Sequence, residues 1–160
     1  MNARSRAARL SALALTLALV ASGSAVFAQT KAPPPAAAKG AALNDPDVGA
    51  AKKAAIDWLA LVDSGKFPAT FDEAAGLFQK AQKKDEWVKG LSTARPAYGK
   101  LVSRTFAENE IRTTLPNLPT GKYITIRFKS SFENQKDGKE SVTCVADGAR
   151  GWRMVAYFIQ

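Results

Sequence analysis

The 160-residue chain contains no histidine and one cysteine, Cys144. Without histidine, Ser-His-Asp and Cys-His nucleophilic machinery and every histidine-containing metal site are excluded. A lone cysteine excludes an intramolecular disulfide, a thiolate zinc cluster and a cysteine-ligated iron–sulfur centre. No Ser-x-x-Lys pair occurs, which removes the acyl-enzyme arrangement of penicillin-binding proteins, and no glycine-rich phosphate cradle follows a strand. Asp45-Pro46-Asp47-Val48-Gly49 has the beginnings of a calcium loop. Ile56 stands where the bidentate acid is needed, however, so these acids read as helix-capping residues.

What is present begins with an export signal. Arg4, Arg6 and Arg9, with no acidic residue among them, precede the Leu/Ala stretch Leu10–Val20. Val26 and Ala28 then fit the small-residue positions of a signal-peptidase site, so residues 1–28 read as a signal peptide cleaved after Ala28. The alternative, an uncleaved anchor, has too short an apolar run for the roughly 20 residues a spanning helix needs. No cysteine lies near the cleavage point to carry a lipid, and no later segment is apolar enough to span a bilayer. The expected location is therefore periplasmic or secreted. Residues 29–44 are Ala/Pro-rich, with Pro33, Pro34 and Pro35 in a row and almost no large apolar side chain, and read as a linker.

The whole chain has 23 Lys+Arg against 14 Asp+Glu; losing three leader arginines leaves 20 against 14, about +6. That excess favours anionic surfaces such as lipid headgroups or cell-wall polymers, or serves solubility alone. Residues 45–160 are enough for one packed domain without disulfides. Cys144 lies in the alternating run Ser141–Val145, where a thiol serves as a small buried hydrophobe.

Asp45-Pro46 supplies an N-cap acid and a first-turn proline, and Val48, Ala51, Ala55, Trp58, Leu59 and Val62 form one helical stripe that ends at Gly65. A second helix is expected from Thr70, with Thr70 and Glu73 as a capping box and Ala74, Leu77, Phe78 and Ala81 buried. A third runs from about Asp85, with Trp87, Leu91 and Ala94 on one side, to Pro96 and Gly99. Beyond Gly99 the period becomes two. Strands are expected at about Lys100–Arg112, Lys122–Phe132, Lys139–Ala146 and Trp152–Ile159, with Asp137-Gly138 as a hairpin turn. On the second strand Ile124, Ile126, Phe128 and Phe132 face the core. The expected class is α+β: three N-terminal helices on one face of a curved four-stranded antiparallel sheet. That shape compares with the cone of cystatin-like and nuclear-transport-factor-2-like domains.

The chain resembles domain-of-unknown-function family 4019, a group of exported bacterial proteins. The resemblance is carried by Trp58-Leu59-Ala60-Leu61-Val62-Asp63-Ser64-Gly65, Trp87, Arg95-Pro96, Gly99 and Arg104. It continues through Leu115-Pro116, Pro119-Thr120-Gly121-Lys122-Tyr123 and Glu140-Ser141-Val142, and ends at Gly151-Trp152-Arg153-Met154-Val155 with Tyr157. The chain departs from the pattern at Ala97-Tyr98, where the family tends to have Pro-Leu. The resemblance implies an extracytoplasmic α+β domain and carries no assigned activity.

The remaining candidates for chemistry are few. Asp63, Glu108, Glu110, Glu133 and Glu140 could supply a carboxylate pair for a small hydrolase working in the cone, if any two converge. Arg95 and Arg104 read as structural partners for Asp63 or a helix C-terminus, and Trp58, Trp87 and Trp152 as core anchors. The strongest positive feature is the polar side of the second strand, Tyr123, Thr125, Arg127 and Lys129, together with Arg153 and Tyr157 on the fourth. Tyr123, Arg127, Lys129, Arg153 and Tyr157 are therefore the candidate ligand-binding residues, since guanidinium forks flanked by aromatics suit phosphate, carboxylate or sugar-polymer ligands. The expectation is a non-catalytic binding or structural module for an anionic envelope component. No cofactor, metal or nucleic-acid partner is expected, and a homodimer packed through its sheets is a further arrangement the class permits.

Overall fold

A computed structural model describes residues 45–160; the expected signal peptide and linker, 1–28 and 29–44, lie outside the described residues. Helix α1 spans Pro46–Asp63. The Asp45 side chain accepts the Asp47 amide at 3.0 Å, and Pro46 occupies the first turn, as its sequence signature requires. The stripe Ala51, Ala55, Trp58, Leu59 and Val62 is buried.

The chain does not then form two further helices. It forms three short ones, α2 (Phe67–Asp72), α3 (Gly76–Ala81) and α4 (Lys84–Ala94), followed by a 3-10 turn over Arg95–Tyr98. The expected capping box is absent, because Pro68 starts α2 three residues early and Thr70 falls inside it. The Thr70 hydroxyl donates to the Phe67 carbonyl at 2.6 Å and accepts the Trp87 indole N–H at 2.9 Å. The Trp58 indole donates to the Thr70 carbonyl at 2.8 Å, so one buried threonine ties two tryptophans from different helices. The helical pattern breaks at Ala74-Ala75 because the Ala75 amide donates to the Met154 carbonyl at 2.7 Å. A tertiary hydrogen bond to a sheet edge here overrides local propensity.

Four strands, β1 (Leu101–Arg112), β2 (Tyr123–Phe132), β3 (Gly138–Ala146) and β4 (Trp152–Ile159), form an antiparallel meander in the order β1-β2-β3-β4. Helix α1 packs on its inner face. Ile124, Ile126, Phe128, Val142, Cys144 and Met154 meet the α1 stripe there, with Trp87 and Trp152 packed against the cluster. Burying each large aliphatic side chain in this seam contributes roughly 1.5–3 kcal/mol. The α+β class and the antiparallel sheet are as expected, with four helices in place of three.

The β2–β3 connection spans 133–137, and Gly138, expected in the hairpin turn with Asp137, already belongs to β3. Gly138 is the first residue of β3 and pairs with Ser130. A Cβ on Gly138 would lie 2.9 Å from Phe132 Cε2 and 3.0 Å from the Ser130 carbonyl oxygen, so this glycine permits a close approach rather than making a turn.

Candidate functional site

Two polar constellations stand out, one under the helices and one on the outer face of the sheet. The inner one is centred on Glu140, which is 1% exposed. Glu140 lies on β3 with the parity of Val142 and Cys144, so alternation turns its carboxylate into the core. Its Oε2 accepts Arg104 Nε at 2.7 Å and Ser130 Oγ at 2.6 Å, and its Oε1 accepts the Tyr157 hydroxyl at 2.8 Å. Arg104 directs its two remaining nitrogens to Asp63, at 2.7 and 3.1 Å, and Arg95 donates to the same carboxylate at 3.0 Å. Asp63 ends α1, where the helix dipole disfavours an acid, and the two guanidinium groups offset that. Arg95 also donates to the Gly99 carbonyl at 2.7 Å and lies over the Phe132 ring.

The inner network is charge-balanced, with two carboxylates against two guanidinium groups. Burial opposes the charge on Arg104, but its hydrogen bonds to Asp63 and Glu140 outweigh it and raise that group above its ordinary value. Burial first, and then the negative Glu140, push Tyr157 well above the usual phenol range, so Tyr157 keeps its proton and donates a hydrogen bond to Glu140. Both oxygens of Glu140 are occupied and Asp63 is shared by two arginines. As a chemical device this is a strut: it fixes α1, β1, β2, β3 and β4 to one another. Arg95 and Arg104 thus pair with Asp63, as their positions implied.

The carboxylates singled out in the sequence converge in two pairs, each bridged by an arginine. Asp63 and Glu140 meet at Arg104. Glu108 and Glu110 meet at Arg127, at 3.1 and 2.7 Å. The hydrogen bond from Arg127 holds Glu110 below its ordinary value against a smaller opposing effect of burial, and Arg112 adds to the lowering. Glu133 accepts the Lys100 amide at 2.9 Å. Among the described residues no three His, Cys, Asp or Glu side chains gather as a metal site, and no helix is long and apolar enough to cross a membrane.

The five candidate ligand-binding residues do not share one surface. Tyr123, Arg127 and Lys129 lie on the outer face of β2, but Tyr123 is buried and its hydroxyl donates to the Pro119 carbonyl at 2.6 Å. It forms a second apolar cluster with Ala75, Val145 and Val155, covered by Leu77, Leu115 and Leu118. On β4, Arg153 pairs with Val145 on the outer face, whereas Tyr157 pairs with Val142 on the inner one. The cause is a bulge at Val155: Cys144 pairs with Met154 and the adjacent Thr143 with Ala156, which inverts the alternation midway along the strand. Tyr157 accordingly packs on Trp58, with ring centroids 5.1 Å apart. Arg153 is paired with Glu73 at 2.9 Å.

The open end of the outer face contains residues that sequence reasoning passed over. Lys129 lies directly opposite Lys139 in the β2–β3 register, both exposed, and Phe158, opposite Ser141 in the next row, is 61% exposed. Strand limits at Phe132 and Lys139 leave the register of β2 against β3 open, so the Lys129–Lys139 pair was legible only from the structure.

No curated protein and no solved structure matches the chain. A family model does, and the stretch it covers, residues 54–157, runs from the middle of α1 to the tyrosine that closes the Glu140 network. With Trp58, Asp63, Arg95, Arg104, Glu140 and Tyr157 all inside that stretch, the chain belongs to the family described as protein of unknown function DUF4019.

Proposed function

We propose that this domain is a non-catalytic extracytoplasmic module, delivered by the leader at residues 1–28, that binds an anionic component of the cell envelope through the open end of its outer sheet face. The observation that carries the reading is the juxtaposition of Lys129 and Lys139, exposed, cross-strand and without a carboxylate partner among the described residues. Like charges directly opposite one another cost stability, by roughly 0.2–1 kcal/mol, and an anion laid across them would reverse that penalty. Arg127, in the adjacent row, extends the cationic strip although Glu108 and Glu110 offset its charge. Tyr123, buried, and Tyr157, half-buried, act in this reading as supports of the strands. A hydrolase working through carboxylates is less well supported, since both converging acid pairs are held by arginines.

Co-sedimentation of the purified protein with phosphatidylglycerol vesicles and with isolated anionic cell-wall polymer tests the reading. The double variant Lys129→Ser/Lys139→Ser is expected to lose most binding to at least one of these probes while its urea midpoint stays level or rises slightly. Unchanged binding to both probes, or none by the parent protein, would remove the proposal.

A further inference from the structure

Cations without acidic partners are not scattered evenly over the molecule. All six arginines among the described residues make ion pairs, as do Lys53, Lys83, Lys84 and Lys122. Of the eight other lysines in that stretch, Lys52, Lys66, Lys80 and Lys89 lie on or beside the helices, and the remaining four gather at one end of the sheet. Lys129 and Lys139 face each other across β2 and β3, Lys136 lies in the connection between those strands, and Lys100 precedes β1, where its backbone pairs with that of Glu133. The acids at this end are Glu133, whose carboxylate receives the Lys100 amide, Asp137, and, in the row of Phe158, Glu108, which is paired with Arg127.

The same end holds the two most exposed large apolar side chains, Val102 and Phe158, each 61% exposed. Val102 sits in a bulge of β1 between the Leu101–Phe132 and Ser103–Ser131 pairs. Phe158 shares the outer face with Lys139, one row away. The opposite end of that face is covered by the cluster around Tyr123, so Phe158 and the lysine pair stand at its open end, with Val102 at the same end of the sheet on the other edge strand, β1.

Apolar groups among lysines are the combination that a bilayer interface rewards: the apolar groups enter the headgroup–acyl boundary and the ammonium groups meet lipid phosphates. A soluble polyanion held by charge alone would use the lysines and leave Phe158 and Val102 idle. We infer that the anionic ligand of this face is the surface of a phospholipid bilayer, with Phe158 and Val102 entering the interface and Lys100, Lys129, Lys136 and Lys139 on the phosphates. The inference rests on the reading of the outer face given above and specifies its ligand.

The test uses protein purified from cells expressing the full chain, with vesicles of phosphatidylcholine, alone or mixed with phosphatidylglycerol, and with isolated cell-wall polymer. Partitioning is expected on the mixed vesicles and not on phosphatidylcholine alone. Lys129→Ser/Lys139→Ser should lower it by roughly fivefold per lysine. Val102→Ser/Phe158→Ser should lower vesicle partitioning by about tenfold and leave binding to the polymer unchanged. A single Phe158→Trp variant should shift its emission to the blue on mixed vesicles. Vesicle binding indifferent to Val102→Ser/Phe158→Ser overturns the membrane assignment. If the lysine variant loses polymer binding alone, this inference falls while the broader reading stands; failure of the parent protein to bind either probe removes both. Every substituted side chain is exposed, so thermal melts matching the parent exclude misfolding as the cause.

Discussion

Removing the carboxylate of Glu140 is the perturbation that weighs most heavily on this architecture. Three donors converge on it from β1, β2 and β4: Arg104 at 2.7 Å, Ser130 at 2.6 Å and Tyr157 at 2.8 Å. Hydrogen bonds to a charged group contribute about 1.5–3 kcal/mol each, but summing three would overstate the effect, because the folded state also carries the cost of desolvating Glu140. Breaking a buried pair by removing one partner costs about 3–5 kcal/mol, chiefly through the groups left behind. Here those are Arg104 Nε and two hydroxyls, while Asp63 still neutralises part of Arg104. Glu140→Ala is therefore expected to cost about 4 kcal/mol, a large part of the roughly 5–15 kcal/mol a domain of this kind possesses. At about 4 °C per kcal/mol that is a fall in Tm of about 16 °C. Glu140→Gln, which can still accept from one donor and turn a hydroxyl to accept its amide, should cost about half as much. Arg104→Met/Glu140→Leu removes both buried charges and should recover most of the loss. Urea unfolding followed by tryptophan fluorescence measures all three. A loss under 1 kcal/mol for Glu140→Ala, or a double variant no more stable than Glu140→Ala, would refute the reasoning.

Three further outcomes follow from single positions. Gly99 has φ 75°, and a Cβ there would lie 2.9 Å from Glu133 Cβ, so Gly99→Ala should lower stability by about 2–3 kcal/mol in urea titrations. Gly49 is the converse case: it lies inside α1, and a methyl group on its Cα would meet nothing within 4 Å, so Gly49→Ala should raise stability by about 0.5–1 kcal/mol in the same titrations. Burial pushes the Cys144 thiol up to about 12, above the ordinary 9.0. The folded state thus retains a proton that the unfolded chain releases. The contribution of this thiol is fully present below about pH 9 and should be lost by up to ~1.4 kcal/mol per pH unit as pH rises from 9 toward 12. Cys144→Ala removes that component of the alkaline slope; equal slopes for parent and variant in urea titrations between pH 8 and 11 would contradict it.

The fold was legible where local pattern and tertiary packing agree. Alternation along β2 and the Asp45-Pro46 start of α1 each rest on a short-range rule that the packing reinforces, and strand limits and helix stripe follow from them. The segment between α1 and α4 is where the two diverge. Thr70-x-x-Glu73 has the composition of a cap, yet the Thr70 hydroxyl serves Trp87 and the Ala75 amide serves β4, partners distant in sequence that no window over residues 67–81 contains.

The site illustrates the same limit on a finer scale. Arg153 and Tyr157 are four residues apart on one strand, and strict alternation assigns them one face; a single extra residue at Val155 sends them to opposite faces. Tyr157 thereby becomes the third donor to a buried carboxylate, and Arg153 is left outside with Glu73. The bulge also explains why Glu140 can be satisfied. Without the shift, Ala156 or Phe158 would oppose β3 on the inner face, and neither side chain can donate a hydrogen bond to the carboxylate. The irregularity that hid the binding face from a period-of-two reading is therefore the one that completes the inner network, leaving Phe158 on the lysine-bearing outer face.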